Sequence, residues 1–232
     1  MHGLYRKEII LTLFLTIALP AMALAQLNFQ HFDEKKLYFG ISLGFNTSKF
    51  RVVHSDAFTY HDTVAVLNSK GGPGFNLGII SNLKLGKYFD VRFIPTLVFA
   101  EKNLNYTMFD NSEARKSIES IFIDFPVSVR FKSQPIKDVR IYVLAGMKYG
   151  LDLASNAKAR RAEDQVKVSR TDISAEYGIG VQFFFPLFIF SPEIKFSQGL
   201  FDVHSKDSNL MFSNVIEKLF TRSLIISLHF EG

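Results

Sequence analysis

Residues 37–45, Leu-Tyr-Phe-Gly-Ile-Ser-Leu-Gly-Phe, alternate between apolar side chains and mostly small or polar ones. Successive side chains of a β-strand point to opposite faces, so five apolar residues share one face: Leu37, Phe39, Ile41, Leu43 and Phe45. This period of two predicts a strand with an apolar environment on one side only.

The same alternation returns seven more times along the chain. The eight segments are 37–45, 74–85, 89–103, 118–131, 139–151, 171–185, 188–198 and 220–230. Their connections alternate between long (46–73, 104–117, 152–170, 199–219) and short (86–88, 132–138, 186–187). Alternating segments with short turns at one end and long loops at the other are typical of a transmembrane β-barrel. We predict an all-β, eight-stranded, antiparallel, up-and-down barrel with its short turns facing the periplasm.

A soluble β-sandwich would show the same alternation, with the apolar face as its core. The segments are long for a sandwich, whose strands usually have five or six residues. Phenylalanines also recur at strand ends on the short-turn side, as in an interfacial aromatic girdle: Phe89, Phe131, Phe185, Phe188 and Phe230. Both features favour the membrane barrel.

The first residues have the pattern of a secretory signal peptide. Arg6 and Lys7 precede the apolar run Ile9–Leu19, and the small-x-small site 23–25 follows it. We predict a signal peptide over 1–25, a short periplasmic segment over 26–36 and the barrel domain over 37–232. An uncleaved membrane anchor is the alternative for the first segment.

The composition suits an exported barrel. The chain has no Cys, which excludes disulfides, and 25 Phe residues, which an outer-membrane lipid contact would cover. Its formal charge of +5 is mild and unclustered, so no nucleic-acid partner is expected.

Some residues do not fit their strands. Pro95, Pro126 and Pro192 each remove a ladder hydrogen bond, and bulges are the expected remedy. Phe122 and Phe184 fall in the polar phase, without a specific explanation from the sequence.

Eight strands enclose an interior just wide enough for side chains to fill. Five charged residues fall in the polar phase near strand middles, and we expect them to form a paired structural network: Asp124, Lys148, Glu176, Glu193 and Lys195. Proton or ion conduction through them is the alternative.

Four basic residues project inward near the periplasmic end, with Asp90 among them: Lys84, Arg92, Arg130 and Arg140. One interpretation is a basic periplasmic mouth that docks an acidic partner segment. The other is an ordinary solvated rim.

Evidence for catalysis is thin. His54, Ser55, Asp56, His61 and Asp62 lie in the first long connection, but residues adjacent in one loop point in different directions. The histidines lack metal-ligand spacing, and no phosphate-binding motif occurs. We expect no enzymatic activity, cofactor or small-molecule substrate.

Four segments resemble strands of the PorT-like outer-membrane β-barrels of Bacteroidetes. They are Asp124-Phe-Pro-Val-Ser-Val-Arg-Phe131, Tyr142-Val-Leu-Ala-Gly146, Tyr177-Gly-Ile-Gly-Val-Gln-Phe183 and Glu193-Ile-Lys-Phe-Ser-Gln-Gly-Leu200. They occur in the family's order, and the resemblance covers about residues 37–230.

The resemblance implies a non-enzymatic role in type IX (Por) secretion, which exports proteases and adhesins. It implies contact with other secretion components, and with the barrel-assembly machinery through the strand of Leu224, Ile226, Leu228 and Phe230. Because an eight-stranded interior is too narrow for folded cargo, the chain is not expected to be the pore. The alternative is a generic structural or adhesin-like barrel that binds through its outer loops.

Overall fold

The computed structural model describes residues 32, 35–54, 64–108, 113–153, 168–205 and 216–232. It contains nine strands in the described part of the chain. They are β1 Leu37–His54, β2 Val64–Lys84, β3 Phe89–Phe93, β4 Thr96–Met108, β5 Glu113–Lys132, β6 Val139–Asp152, β7 Thr171–Phe184, β8 Ile189–Gly199 and β9 Ile216–Glu231. The predicted signal peptide lies outside the described residues and stays a prediction.

The strands close into a ring. All the pairings between the described strands are antiparallel. The first strand, β1, pairs with the last, β9, from Gly40↔Glu231 to His54↔Ile216. β3 and β4 are two parts of one barrel strand, because both pair with β2 on one side and with β5 on the other. The prediction of an eight-stranded antiparallel barrel is confirmed.

Pro95 marks the interruption between β3 and β4, but it causes no bulge. The β2 register is the same before and after it, Ser81↔Phe93 and Gly78↔Thr96. The carbonyl of Pro95 still accepts a hydrogen bond from the Ile79 N–H at 3.1 Å. Pro126 and Pro192 are likewise passed without a register shift. The prediction of bulges at the prolines is therefore wrong. The strand register continues past each proline, and only the local ladder pairing is interrupted.

The strands are longer at their outer ends than the sequence indicated. β1 continues to His54 and β2 begins at Val64, so most of the predicted connection 46–73 is sheet. The register shifts of the described strands all lie in this outer part: between Val53 and His54, between Val64 and Val66, and between Gly71 and Gly74. The short connections fall where predicted, after Lys84, Lys132 and Phe184.

The apolar phase of the strands faces outward. On β1, Ile41 is 54% and Phe45 is 74% exposed, whereas the intervening Ser42 and Gly44 point into the barrel. From Leu37 to Phe45 the strand advances about 27 Å at about 3.4 Å per residue. With a tilt of about 40°, this covers about 20 Å of depth, close to the ~25 Å apolar band of such barrels.

Aromatic rings cluster at the periplasmic end of this belt. The rings of Phe89 and Phe131 lie 5.2 Å apart, and those of Phe185 and Phe188 5.1 Å. Phe188, just before β8, also lies 6.1 Å from Phe230 on the neighbouring β9. The predicted phenylalanine girdle is therefore a set of contacting rings at strand ends.

Among the described residues, no helix has the length and apolar character needed to cross a membrane.

The depth of the belt can be tested with a charge. Replacing Ile41, at the middle of the β1 belt, with Arg should destabilise the barrel by about 2–4 kcal/mol, because an arginine at the bilayer midplane is poorly solvated. The control Leu37→Arg, at the edge of the belt, should cost about 0–1 kcal/mol. Urea unfolding in lipid vesicles measures both, and equal costs would contradict the assigned membrane position.

Candidate functional site

The inward phase of the strands builds two groups of buried charged residues. We call the first the periplasmic cluster: Asp90, Arg92, Arg130, Lys132, Tyr142, Glu193, His229 and Glu231. The second, the central cluster, consists of Asp124, Lys148, Glu176 and Lys195. Alternate residues of neighbouring strands supply both clusters, since side chains two residues apart share the inner face.

Glu231, the penultimate residue, holds the two arginines of the periplasmic cluster. It accepts a hydrogen bond from Nη2 of Arg92 and one from the Ser191 hydroxyl at 3.3 Å. Nη1 of Arg130 lies 3.8 Å from the same carboxylate. Arg92, Arg130 and Glu231 are each only 1% exposed, so this carboxylate compensates two guanidinium groups away from water.

Asp90 provides a second negative charge beside them. Its carboxylate accepts hydrogen bonds from Arg130 at 2.7 Å and from Lys132 at 2.5 Å. The Asn82 side chain donates to Asp90 at 3.3 Å and accepts from Arg130 at 2.7 Å. These contacts give each of the three buried charges a partner, which a low-dielectric interior requires.

Glu193 joins the periplasmic cluster rather than pairing with lysine. It accepts a hydrogen bond from the Tyr142 hydroxyl at 2.8 Å and lies 3.4 Å from Arg92 and from Nε2 of His229. The guanidinium of Arg130 is 4.9 Å from the centre of the Tyr142 ring. The ring therefore fills the space between the charges, and their contacts extend across the barrel.

The other four residues of the predicted network form the central cluster. Lys148 lies 3.0 Å from Asp124, and Lys195 lies 2.9 Å from Glu176. A cavity of about 20 Å³ adjoins them, enough for about one water molecule.

The predicted basic mouth has a different form in the structure. Arg92, Arg130 and Arg140 are buried, and Lys84 is only partly exposed. Arg92 contacts Glu193 and Glu231 across the interior, and Arg130 contacts Asp90 on the neighbouring β3. These two arginines therefore do not present charge at the rim. The sequence did not predict Glu231 as an interior residue, because the last predicted strand stopped at Phe230. Its alternation with Ser227 and His229, which are also inward-facing, indicates that position.

The two phenylalanines in the polar phase lie near the ends of the interior. Phe184 packs with Phe32, Tyr38 and Ile189 at the periplasmic end, and the Phe184 and Phe32 rings are 6.2 Å apart. Phe122 lies toward the outer end, where Nζ of Lys102 is 4.5 Å from its ring centre. Both rings fill space next to inward-facing cations, since Arg140 lies 5.5 Å over Phe184.

A family model described as "Outer membrane protein beta-barrel domain" matches residues 24–205. The chain belongs to this family. It is therefore an outer-membrane protein, and its apolar belt contacts membrane lipid.

Three solved structures of outer-membrane proteins are similar to this outer membrane β-barrel domain. Ail of Yersinia pestis is 15% identical, with 85% of this chain and 100% of that chain covered and a TM-score of 0.37. OprG of Pseudomonas aeruginosa is 9% identical, with 84% and 93% covered and a TM-score of 0.48. Neisserial surface protein A is 11% identical, with 84% and 96% covered and a TM-score of 0.43. A comparison with curated proteins gave no match.

Of the residues considered for catalysis in the outer membrane β-barrel domain, His54 ends β1. Ser55, Asp56, His61 and Asp62 lie outside the described residues. Among the described residues, no group of three or more His, Asp or Glu side chains could hold a metal ion. Within each cluster the acidic and basic side chains compensate each other's charge, and together the two clusters fill the barrel interior.

Replacing Glu231 tests whether the periplasmic cluster depends on its carboxylate for stability. Glu231→Gln removes the nearer of the two carboxylates that contact Arg92 and leaves only Glu193, at 3.4 Å. Breaking a buried ion pair typically costs about 3–5 kcal/mol. Glu217→Gln is the control, because Glu217 is paired only with exposed Lys218 at 3.8 Å and should contribute about 0–1 kcal/mol. Urea unfolding in vesicles measures both variants. A loss for Glu231→Gln no larger than that for the control would contradict the assigned role of Glu231.

Proposed function

We propose that this barrel is a non-enzymatic outer-membrane component required for type IX (Por) secretion of proteins such as proteases and adhesins. It acts by contact or assembly with other secretion components and is not the translocation pore. The observation that carries this proposal is the filled interior, in which buried ion pairs of the periplasmic cluster occupy the space that a cargo chain would need.

The secretion process itself is proposed from the resemblance to PorT-like barrels. The resembling segments contribute residues to both clusters. Asp124 and Arg130 come from the first segment, Tyr142 from the second, and Glu193 and Lys195 from the fourth. The motif residues therefore coincide with the interior contacts of this barrel. The C-terminal ending 222–232 also resembles PorT itself.

A closed barrel with a filled interior can act on secretion only by binding other components through its surface. Its outward strands meet lipid, its short turns face the periplasm and its outer strand ends carry the long connections. Any of these surfaces can bind a secretion component without opening the interior. The outward face of β9, with Leu224, Ile226, Leu228 and Phe230, would also be engaged by the barrel-assembly machinery during insertion.

Deletion of the gene is the decisive experiment. We expect type IX cargo to accumulate in the periplasm and to return to the cell surface when the full chain is supplied in trans. The abundance of unrelated outer-membrane barrels is the control, since it should not change. Normal export of type IX cargo in the deletion strain would refute the proposal.

An adhesin-like function is the alternative, and the outer strand extensions favour it. β1 and β2 are 18 and 21 residues long, so the outer ends of both strands lie beyond the apolar belt. These strand ends are where an extracellular ligand could be bound.

Replacing residues 55–63 with a short Gly-Ser linker separates the two functions. The secretion proposal expects export of type IX cargo to be unchanged, because the barrel wall and periplasmic turns are intact. Loss of cell-surface binding together with normal export in both this variant and the deletion strain would favour the adhesin. Surface exposure of the linker, checked by labelling, ensures that the variant has inserted.

A further inference from the structure

The outer wall of the barrel carries an exposed pair of cations. Lys49 on β1 and Arg222 on β9 are directly opposite each other in the antiparallel register, and both are exposed. Arg51 follows two residues after Lys49 on the same face and lies 6.0 Å from the ring of Phe220. Like charges placed directly opposite each other on a sheet repel, so this arrangement favours a bound anion.

The pair lies just beyond the outer edge of the apolar belt. On β1, Lys49 is four residues past Phe45, and on β9, Arg222 is two residues before Leu224. Both lie toward the long connections, which face the cell exterior in barrels of this class. This depth corresponds to the headgroup region of the outer leaflet.

Two acidic residues toward the outer strand ends are engaged elsewhere. Glu217 contacts Lys218 at 3.8 Å, and Glu101 accepts hydrogen bonds at 3.0 Å from Asn103 and from Ser117. Within the described ranges, no carboxylate lies within 4 Å of Lys49 or Arg222. Arg222 uses Nε to donate to Gln198 at 2.6 Å, which fixes the plane of its guanidinium.

A groove of about 580 Å³ runs along the wall beside the two cations. Its polar end contains Lys49, Gln198 and Arg222, and its apolar part contains Tyr177, Phe196 and Leu224. The rings of Tyr177 and Phe196 stack at 5.7 Å. The groove is thus cationic at headgroup depth and aromatic at acyl-chain depth, which matches a phosphorylated lipid in both charge and polarity.

We propose that lipopolysaccharide of the outer leaflet occupies this groove. A phosphate of its lipid A is held between Lys49 and Arg222, and an acyl chain lies against Tyr177 and Phe196. Arginine suits this role because the fork of its guanidinium matches the geometry of phosphate oxygens. This site depends on the membrane orientation of the barrel and is independent of the proposed role in secretion.

The test compares binding of phosphorylated lipid A to the detergent-purified full chain and to the double variant Lys49→Gln/Arg222→Gln. We expect binding to weaken about tenfold or more, because two charge-assisted contacts are lost. The double variant Lys36→Gln/Lys87→Gln removes two exposed lysines at the periplasmic end and should bind like the wild type. Heat-modifiable gel mobility confirms that each protein is folded, and Lys49→Arg should retain binding if the double variant folds poorly.

Two further ligands test whether the groove recognises both the phosphate and the lipid part of lipid A. Dephosphorylated lipid A should bind the wild type as weakly as phosphorylated lipid A binds the Lys49→Gln/Arg222→Gln variant. Inorganic phosphate at millimolar concentration should not displace the lipid. The proposal is overturned by undiminished binding of lipid A to that variant, by an equal loss in the periplasmic control, or by full displacement with inorganic phosphate.

Discussion

Closure of the sheet is the constraint on which the rest of this structure depends. In the hydrocarbon of a membrane no water satisfies backbone N–H and C=O groups, so a spanning sheet has to pair its first strand with its last. Here β1 and β9 make that pairing over most of their length. Once the ring is closed, one phase of every strand meets lipid and the other is confined to a narrow interior, where charged residues need partners.

The sequence predicted the features that depend on local periodicity. Strand number, the phase of Ile41 and Phe45, and the position of the short turns all follow from a period of two and from connection length. Strand length was underestimated. Beyond Asn46 the outward residues of β1 include Thr47, Lys49 and Arg51, so the apolar signal ends although the sheet continues.

The contacts inside the barrel could not be predicted in the same way. Arg92 and Glu231 are 139 residues apart, and their meeting depends on the stagger of all eight strands around the ring. The pairing of Glu193 with Arg92 and Tyr142, in place of a lysine, has the same origin. The prediction of a bulge at Pro95 was wrong for a local reason. The strand keeps the same register with β2 on both sides of the proline, so no inserted residue is present.

The place of Glu231 on β9, the strand that closes the ring, couples closure to charge balance. Strands β3 and β5 carry Arg92 and Arg130, whereas the carboxylate that contacts both is the last residue of β9. Pairing β9 with β1 therefore also brings the compensating carboxylate to the two arginines. A barrel whose β9 has not paired carries an excess of positive charge inside and is electrostatically distinct from a closed barrel.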